Sequence, residues 1–151
     1  MITRRDFTVP AGATCVAIAA VVLADTSSKP MMHSSVFVWN SLKAEPKQHG
    51  ARREVFDARV ATLDRLECHV TTLIPGAAPH AAHTHPEEEL IIIKEGALEV
   101  VQNTTTNRAE AGAVIFEASN ELHGLRNIGS TTATYYVVKW FSPGTLKDNT
   151  N

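Results

Sequence analysis

A short histidine-rich window in the middle of the chain constrains its fold and chemistry more than any other feature. His83 and His85 are separated by one residue, and Glu89 follows just before the apolar run 90–93. Side chains two residues apart on an extended chain project to the same side, about 6.5 to 7 Å apart, so these imidazoles can share one ion. Pro86 bends the chain, but a strand that restarts near Glu89 returns its carboxylate to the same interior. The window therefore predicts a metal site beside a buried strand.

A second segment, residues 112–127, carries another candidate ligand. His123 follows a turn-forming Ser-Asn pair and precedes a predicted strand. It is a lone histidine in its segment, so its role depends on whether the fold brings it to the first window.

The first window resembles motif 1 of the cupin superfamily. That motif runs His-x-His, three residues, Glu, six residues, Gly, and His83, His85, Glu89 and Gly96 fit it one by one. Gly76, upstream, lies one residue further away than the usual spacing.

The second segment resembles motif 2 of the same superfamily. Gly112, His123 and Asn127 fall on the motif's Gly, His and Asn, whereas Ala118 and Asn120 replace its Pro and second Gly. Both departures lie in a turn and not at a ligand.

The resemblance implies a fold and a ligand set. The fold is an all-β jelly-roll barrel of a single domain, and His83, His85, Glu89 and His123 are implied to hold one divalent transition metal per chain. Manganese or iron is favoured, with nickel or zinc as alternatives.

Strand patterns in the sequence favour the same architecture. We predict a barrel over residues 35–142, because short apolar or alternating runs are joined by turns and no amphipathic helix is evident. The predicted strands are 35–39, 54–60, 65–74, 89–94, 97–102, 113–117, 123–128 and 132–141, with a loop at 41–53 and a polar hairpin connection at 103–107. The strand at 35–39 is expected at an edge, and exposed edges need covering. Single-barrel members of the superfamily commonly pair through such a strand, so the resemblance implies a homodimer through Val36 and Val38 or Phe37 and Trp39.

The N-terminus resembles a twin-arginine export signal. Arg4 and Arg5 precede the apolar stretch 11–24, which at 14 residues is shorter than the about 20 needed to span a bilayer. We therefore predict a removable signal at 1–24, no stable membrane insertion, and a periplasmic or extracellular location. Replacement of both arginines by lysine is expected to stop export. Residues 25–34 are predicted as a linker and 143–151 as a flexible tail.

Charge and cysteine content exclude other classes. The net charge is only −2 with mixed signs along the chain, so no nucleic-acid partner is expected. Without residues 1–24, Cys68 is the only cysteine, and the barrel must be stable without an internal disulfide.

Two further residues are candidates for proton transfer. His69 lies on the strand that enters the histidine window, and Glu121 shares parity with His123, so either could act as a general base if its face points inward. By the same parity Arg126 points outward. We interpret His33, His49 and His80 as surface histidines, because they lie in loops without a paired carboxylate.

Three functions remain open from the sequence. The first is a dioxygenase-type metalloenzyme that acts on a small chelating substrate such as a diketone or catechol-like compound. The second is a non-redox isomerase, lyase or hydrolase that acts on a sugar acid or hydroxy acid. The third is a barrel that binds a metal or small ligand without turnover. The ligand set alone does not choose among them.

Overall fold

The computed structural model describes residues 29–142, which form two facing antiparallel sheets. The larger sheet has the strand order β1-β2-β3-β9-β4-β7, and the smaller has the order β6-β5-β8. The strands are β1 (Glu45–Lys47), β2 (Gly50–Ala58), β3 (Arg65–Leu73), β4 (Glu88–Glu95), β5 (Ala97–Gln102), β6 (Thr105–Glu110), β7 (Val114–Glu117), β8 (His123–Asn127) and β9 (Ala133–Phe141), with a short 3-10 helix at Trp39–Ser41. The prediction of a single all-β jelly-roll domain is confirmed.

The core lies between the inner faces of the two sheets. Alternating apolar side chains from both sheets interdigitate there, as the two-residue period of a strand requires. The core side chains are Leu73, Ile91, Ile93, Leu98, Val100, Ile115, Leu125, Ala133, Tyr135 and Val137. Burial of this much apolar surface supplies a stable framework without a disulfide, and Cys68 is a buried free thiol whose pKa burial raises to about 11.

Three of the predicted segments are wrong. Residues 35–39 form no strand, and the segment instead crosses the outside of the larger sheet: Phe37 packs on Phe56 at 5.3 Å between ring centroids, and the Trp39 ring lies beneath Lys94. Val36 is exposed, so the alternation reflects one side that packs on the barrel and one that faces solvent. The homodimer stays a prediction.

Residues 41–53, predicted as a loop, contain β1 and the beginning of β2. Strand β6 was also missed, within and beyond the predicted polar connection at 103–107. Nearly all of its side chains are exposed, and it therefore lacks the apolar alternation by which a strand is recognised in sequence.

The N-terminal part of the described chain lies on the barrel. Lys29 forms an ion pair with Asp57, and Met31 forms a parallel bridge with Arg59, so the second half of the predicted linker is in contact with the domain. The predicted export signal at 1–24 and the tail at 143–151 lie outside the described residues. Within residues 29–142 no helix has the length and apolar character needed to cross a bilayer.

Turn residues of both motifs have left-handed backbones. Gly96 has φ of 87°, and a Cβ there would lie 2.6 Å from Cα of Ala133, so only glycine fits between β4 and β5. Asn120 has φ of 59°. Asparagine tolerates this region better than other residues with a Cβ, which explains why it can replace the motif's glycine.

Candidate metal centre

Three histidines meet at one end of the barrel. His83, His85 and His123 each offer a ring nitrogen, and these three atoms lie within 4.8 Å of one another. The ring centroids are 5.1 Å apart for His83 and His85, 4.8 Å for His83 and His123, and 4.7 Å for His85 and His123. The fold thus brings the lone histidine of the second segment to the pair in the first.

Backbone pairing causes this convergence. The loop between β3 and β4 runs beside β8 as an irregular extra strand. His83 N–H donates to the carbonyl of His123 and His123 N–H donates to that of His83, both at 3.0 Å. Further along the loop, the N–H of Asn120 donates to the carbonyl of His85 at 2.8 Å. The two motifs are therefore held together through main-chain atoms, and their side chains are free for chemistry.

A hydrogen bond to a carbonyl oxygen fixes the ring tautomer of His123. Its Nδ1 lies 2.8 Å from the Glu121 carbonyl, which only accepts, so Nδ1 carries the proton and Nε2 presents a lone pair. Metal-binding histidines use the same arrangement, in which the second nitrogen is held by an outer acceptor. Both ring nitrogens of His85 face acceptors, because Nδ1 lies 2.9 Å from the Glu87 carbonyl and Nε2 lies 2.9 Å from Oε1 of Glu89.

Two ring nitrogens of the group are buried without a hydrogen-bond partner among the described residues. They are Nδ1 of His83 and Nε2 of His123. A buried polar atom left unpaired costs about 1 to 3 kcal/mol, and such atoms are uncommon in folded proteins. Burial, reinforced by the neighbouring imidazoles, lowers the pKa of His83 and favours its neutral, ligating form. These observations fit a divalent transition metal shared by the three imidazoles.

Glu89 lies at the edge of this group. Its Oε1 is 2.9 Å from Nε2 of His85 and 2.6 Å from Nζ of Lys139, and the residue is buried. Burial opposes ionisation, but the Lys139 ammonium outweighs it, so the pKa of Glu89 is lowered and the carboxylate is charged. Glu89 thus lies beside the three imidazoles with Lys139 as a competitor for its charge, and its role as the fourth ligand stays a prediction.

His83 and His123 open into a cavity of about 430 Å³. Strands β2, β3, β4, β8 and β9 and the histidine loop contribute to its wall. The polar residues that line it are Lys47, His49, Arg52, His69, Thr71, Thr72, His80, His83, Glu89, His123, Tyr135 and Lys139. Its size suits a small molecule.

His69 faces this cavity, as parity allowed. The side chain is buried, and its Nδ1 lies 3.1 Å from Oε1 of Glu67. Glu67 also accepts from Arg52 at 2.6 Å and from Arg65 at 3.3 Å. The hydrogen bond with His69 and then the Arg52 guanidinium lower the pKa of Glu67 from 4.5 to about 2. These three side chains form a hydrogen-bonded network, the Arg52–Glu67–His69 network.

Glu121 does not face the cavity, and this part of the prediction is wrong. The side chain is exposed and accepts a hydrogen bond from Asn103 at 3.0 Å. The parity argument failed because β8 begins only at His123, so Glu121 lies in a turn. Its contribution is the backbone carbonyl that holds His123.

The parity prediction for Arg126 is confirmed, and the motif residue Asn127 has a structural role. Arg126 points outward and pairs with Glu99 at 2.8 Å. Asn127 is fully buried but structural: its amide donates to the carbonyls of Leu73 and Thr131, at 3.0 and 2.9 Å.

Sequence reasoning missed part of the cavity wall. His49 and His80 line it, and the His80 ring lies 4.2 Å from that of His83, so neither is only a surface histidine. Arg52 was missed because its segment was predicted as a loop. The alternation of Gly50, Arg52 and Glu54 on one side of β2 was the available signal.

Comparison with known proteins agrees with this geometry. Residues 69–139 match the family described as "Cupin domain". No curated protein matches the chain.

Solved structures with the same fold share little sequence. The cupin domain of Schizosaccharomyces pombe Cnp3 is 19% identical with a TM-score of 0.60, covering 73% of this chain and 74% of that one. A predicted oxalate decarboxylase from Thermotoga maritima is 20% identical with a TM-score of 0.58, covering 71% and 99%. The polyketide cyclase RemF from Streptomyces resistomycificus is 22% identical with a TM-score of 0.59, covering 72% and 80%. The family match covers residues 69–139, and these neighbours share the jelly-roll architecture, so the described domain has the cupin fold.

Proposed function

We propose that this protein is a metal-dependent, non-redox enzyme that moves a proton on a small hydroxy acid or oxo acid, as in an isomerase or lyase. The observation that carries the proposal is that His69, backed by the Glu67 carboxylate, lines the same cavity as His83 and His123 of the clustered imidazoles. A carboxylate–histidine pair beside a metal-binding group is a typical arrangement for general base catalysis.

His69 has the geometry of a base. Because Nδ1 binds Glu67, the proton lies on that nitrogen, and Nε2 is left for the cavity. The pKa of Glu67 is about 2, so the carboxylate is ionised at every pH at which the barrel would work. Glu67 therefore holds the tautomer and stabilises the imidazolium that forms when His69 takes a proton.

The metal group would hold the substrate. A divalent ion bound by His83, His85 and His123 would polarise a substrate oxygen and acidify the neighbouring C–H bond. The cavity, at about 430 Å³, orients the substrate between this group and His69.

A dioxygenase is the second candidate. Three imidazoles and one carboxylate would leave open positions on an ion, which is the observation in its favour. The titles of the neighbouring structures name a predicted decarboxylase and a cyclase, but at this identity the likeness concerns the fold alone.

The test is isotope exchange, which requires no knowledge of the product. Protein loaded in turn with manganese, iron, nickel or zinc is incubated in D₂O with a panel of hydroxy acids, oxo acids and sugar acids, and NMR follows loss of the C–H signal beside the carbonyl or hydroxyl carbon. We expect exchange that His69→Gln slows by about 100-fold or more, in line with general base catalysis. His33→Gln, at an exposed histidine outside the cavity wall, is the matched control and should keep the rate.

Other outcomes contradict the proposal in different ways. Oxygen uptake with diketones or phenols, without exchange, would establish the dioxygenase. Neither activity with any metal would favour a binding barrel. Exchange that persists in His69→Gln would refute His69 as the base.

A further inference from the structure

The cavity is cationic although the protein is not. The chain has a net charge of −2, yet the charged residues in the cavity wall are Lys47, Arg52, Lys139 and a single carboxylate, Glu89. Lys139 is bound to Glu89 at 2.6 Å, so these two charges offset each other. Arg52 and Lys47 are paired with Glu67 and Glu45, two carboxylates that do not line the cavity, so both cationic groups can still meet a ligand there.

Strand alternation aims one arginine of a pair at the cavity. Arg52 and Arg53 are neighbours on β2 and point to opposite faces. Arg53 lies outside the barrel over the Trp39 ring, at 4.8 Å from its centroid, whereas Arg52 is in the cavity wall opposite Thr71 of β3.

The Arg52 guanidinium is held but not saturated. Among the described residues it donates to Glu67, through one terminal nitrogen at 2.6 Å, and its side chain is 35% exposed. Since a guanidinium is a planar fork of several N–H donors, the rest of the fork is available to a ligand. Glu67 also fixes the orientation of the fork, which lowers the entropic cost of binding. A planar fork of this kind matches a carboxylate by two parallel hydrogen bonds.

Lys47 adds a second, more mobile charge. It lines the cavity from the end of β1, and its ion pair with Glu45, at 3.3 Å, is exposed on both sides. Exposed pairs of this kind contribute little, about 0 to 1 kcal/mol, so the ammonium can turn to a ligand at small cost.

We propose that the substrate carries a second anionic group, a carboxylate, which Arg52 binds with help from Lys47 while the first oxygens are held at the three histidines. The ligand class is thus a dicarboxylate hydroxy or oxo acid rather than a neutral sugar or phenol. This inference rests on the proposed function for its choice of acids, and it assigns specificity to Arg52.

The test compares two acids that differ by one carboxylate. Malate and 2-hydroxybutanoate share the 2-hydroxy acid group, and only malate has a second carboxylate. Isothermal titration calorimetry with zinc-loaded protein measures both. We expect malate to bind about tenfold more tightly or better, in line with a charge-assisted bidentate contact.

The variants decide which residue reads the second carboxylate. Arg52→Gln should weaken malate about tenfold and change 2-hydroxybutanoate less than about twofold, because only the former uses the fork. Arg53→Gln, the neighbouring arginine outside the barrel, is the matched control and should leave both affinities unchanged. Arg52→Lys should restore part of the preference, since it keeps the charge and loses the fork.

Three results would overturn the inference. They are equal affinity of the native protein for both acids, no binding of either acid, and equal weakening of both in Arg52→Gln, which would indicate a structural role. These outcomes are separable from the proposed function. A malate preference that depends on Arg52, without isotope exchange, would refute catalysis and retain the anion site.

Discussion

The two flanks of the cavity differ in how completely their polar atoms are satisfied. On the metal flank, Nδ1 of His83 and Nε2 of His123 are buried without partners among the described residues. On the opposite flank, the Arg52–Glu67–His69 network is joined by hydrogen bonds of 2.6 and 3.1 Å. The second flank is thus held by contacts within the protein, whereas two buried nitrogens of the first flank have no such contact among the described residues.

This contrast predicts that the order of one flank depends on a metal ion and that the order of the other does not. The metal flank should gain stability and order when an ion joins its imidazoles, because within residues 29–142 nothing pairs Nδ1 of His83 or Nε2 of His123. The Arg52–Glu67–His69 network needs no ion, because charged hydrogen bonds within the protein hold it in place. Loss of metal should therefore change one flank and leave the other, and variants can test each side separately.

The largest effect is expected from a variant of the metal flank. His123→Ala should weaken zinc or manganese binding by about 1,000-fold, since even outer partners of metal ligands are worth 10- to 100-fold. His80→Ala is the control, because its ring touches His83 but is exposed, and its effect should stay within about threefold. Competition with a chromophoric chelator measures both. Similar losses in the two variants would remove the distinction between ligand and neighbour.

The contribution of the Arg52–Glu67–His69 network should appear in the pH dependence of the free energy of unfolding. The pKa of Glu67 falls from 4.5 to about 2 on folding, so its contribution is present above pH 4.5 and is lost as the pH falls towards 2. This difference corresponds to about 3 kcal/mol in the free energy of unfolding. Glu67→Gln should lack this part of the acid dependence, as measured by urea unfolding of chelator-treated protein from pH 6 to 2.

The unfolding free energies of the native protein and Glu67→Gln, compared across pH, show whether the Glu67 carboxylate is paired in solution. Curves for the native protein and Glu67→Gln should converge as the pH falls. Parallel curves would mean that the carboxylate is not held by Arg52 and His69 in solution.

The smallest effect is expected at Lys139, where a charge of the protein competes with the metal ion. Lys139 binds Glu89 and lies 3.5 Å from Nε2 of His85, so its ammonium competes with an ion for the carboxylate and repels it. Lys139→Gln should strengthen divalent-metal binding by about tenfold, given the size of charge interactions at this range. Lys94→Gln removes the same charge from the outside of the barrel, over Trp39, and is the control. Weaker binding in Lys139→Gln would contradict the competition.

The metal flank was largely predictable from the sequence. The alternation of His83 and His85 and the short spacing to Glu89 are local, and local geometry suffices to place them on one side. The convergence of His123 was implied by the motif resemblance. Its physical cause, the backbone bridge between His83 and His123, is a long-range pairing that no local pattern reveals.

The opposite flank was not predictable to the same degree. Arg52 lies in a segment with proline and glycine nearby, which indicates a loop, and tertiary pairing with β3 overrides that preference. The partner of His69, Glu67, is two residues away on the same face, so their contact was predictable from the sequence. The contact of Glu67 with Arg52 was not, because it depends on the pairing of two strands. Glu121 shows the converse error, where parity was extended past the beginning of a strand.

The most direct test of the metal centre is X-ray absorption spectroscopy on protein purified with its native metal, together with elemental analysis. The account predicts one divalent transition metal per chain, with scattering from three imidazoles and one carboxylate oxygen, and loss of one imidazole in His123→Ala. A protein without stoichiometric metal, or an ion without multiple imidazoles in its shell, would contradict the assignment of His83, His85 and His123 as ligands.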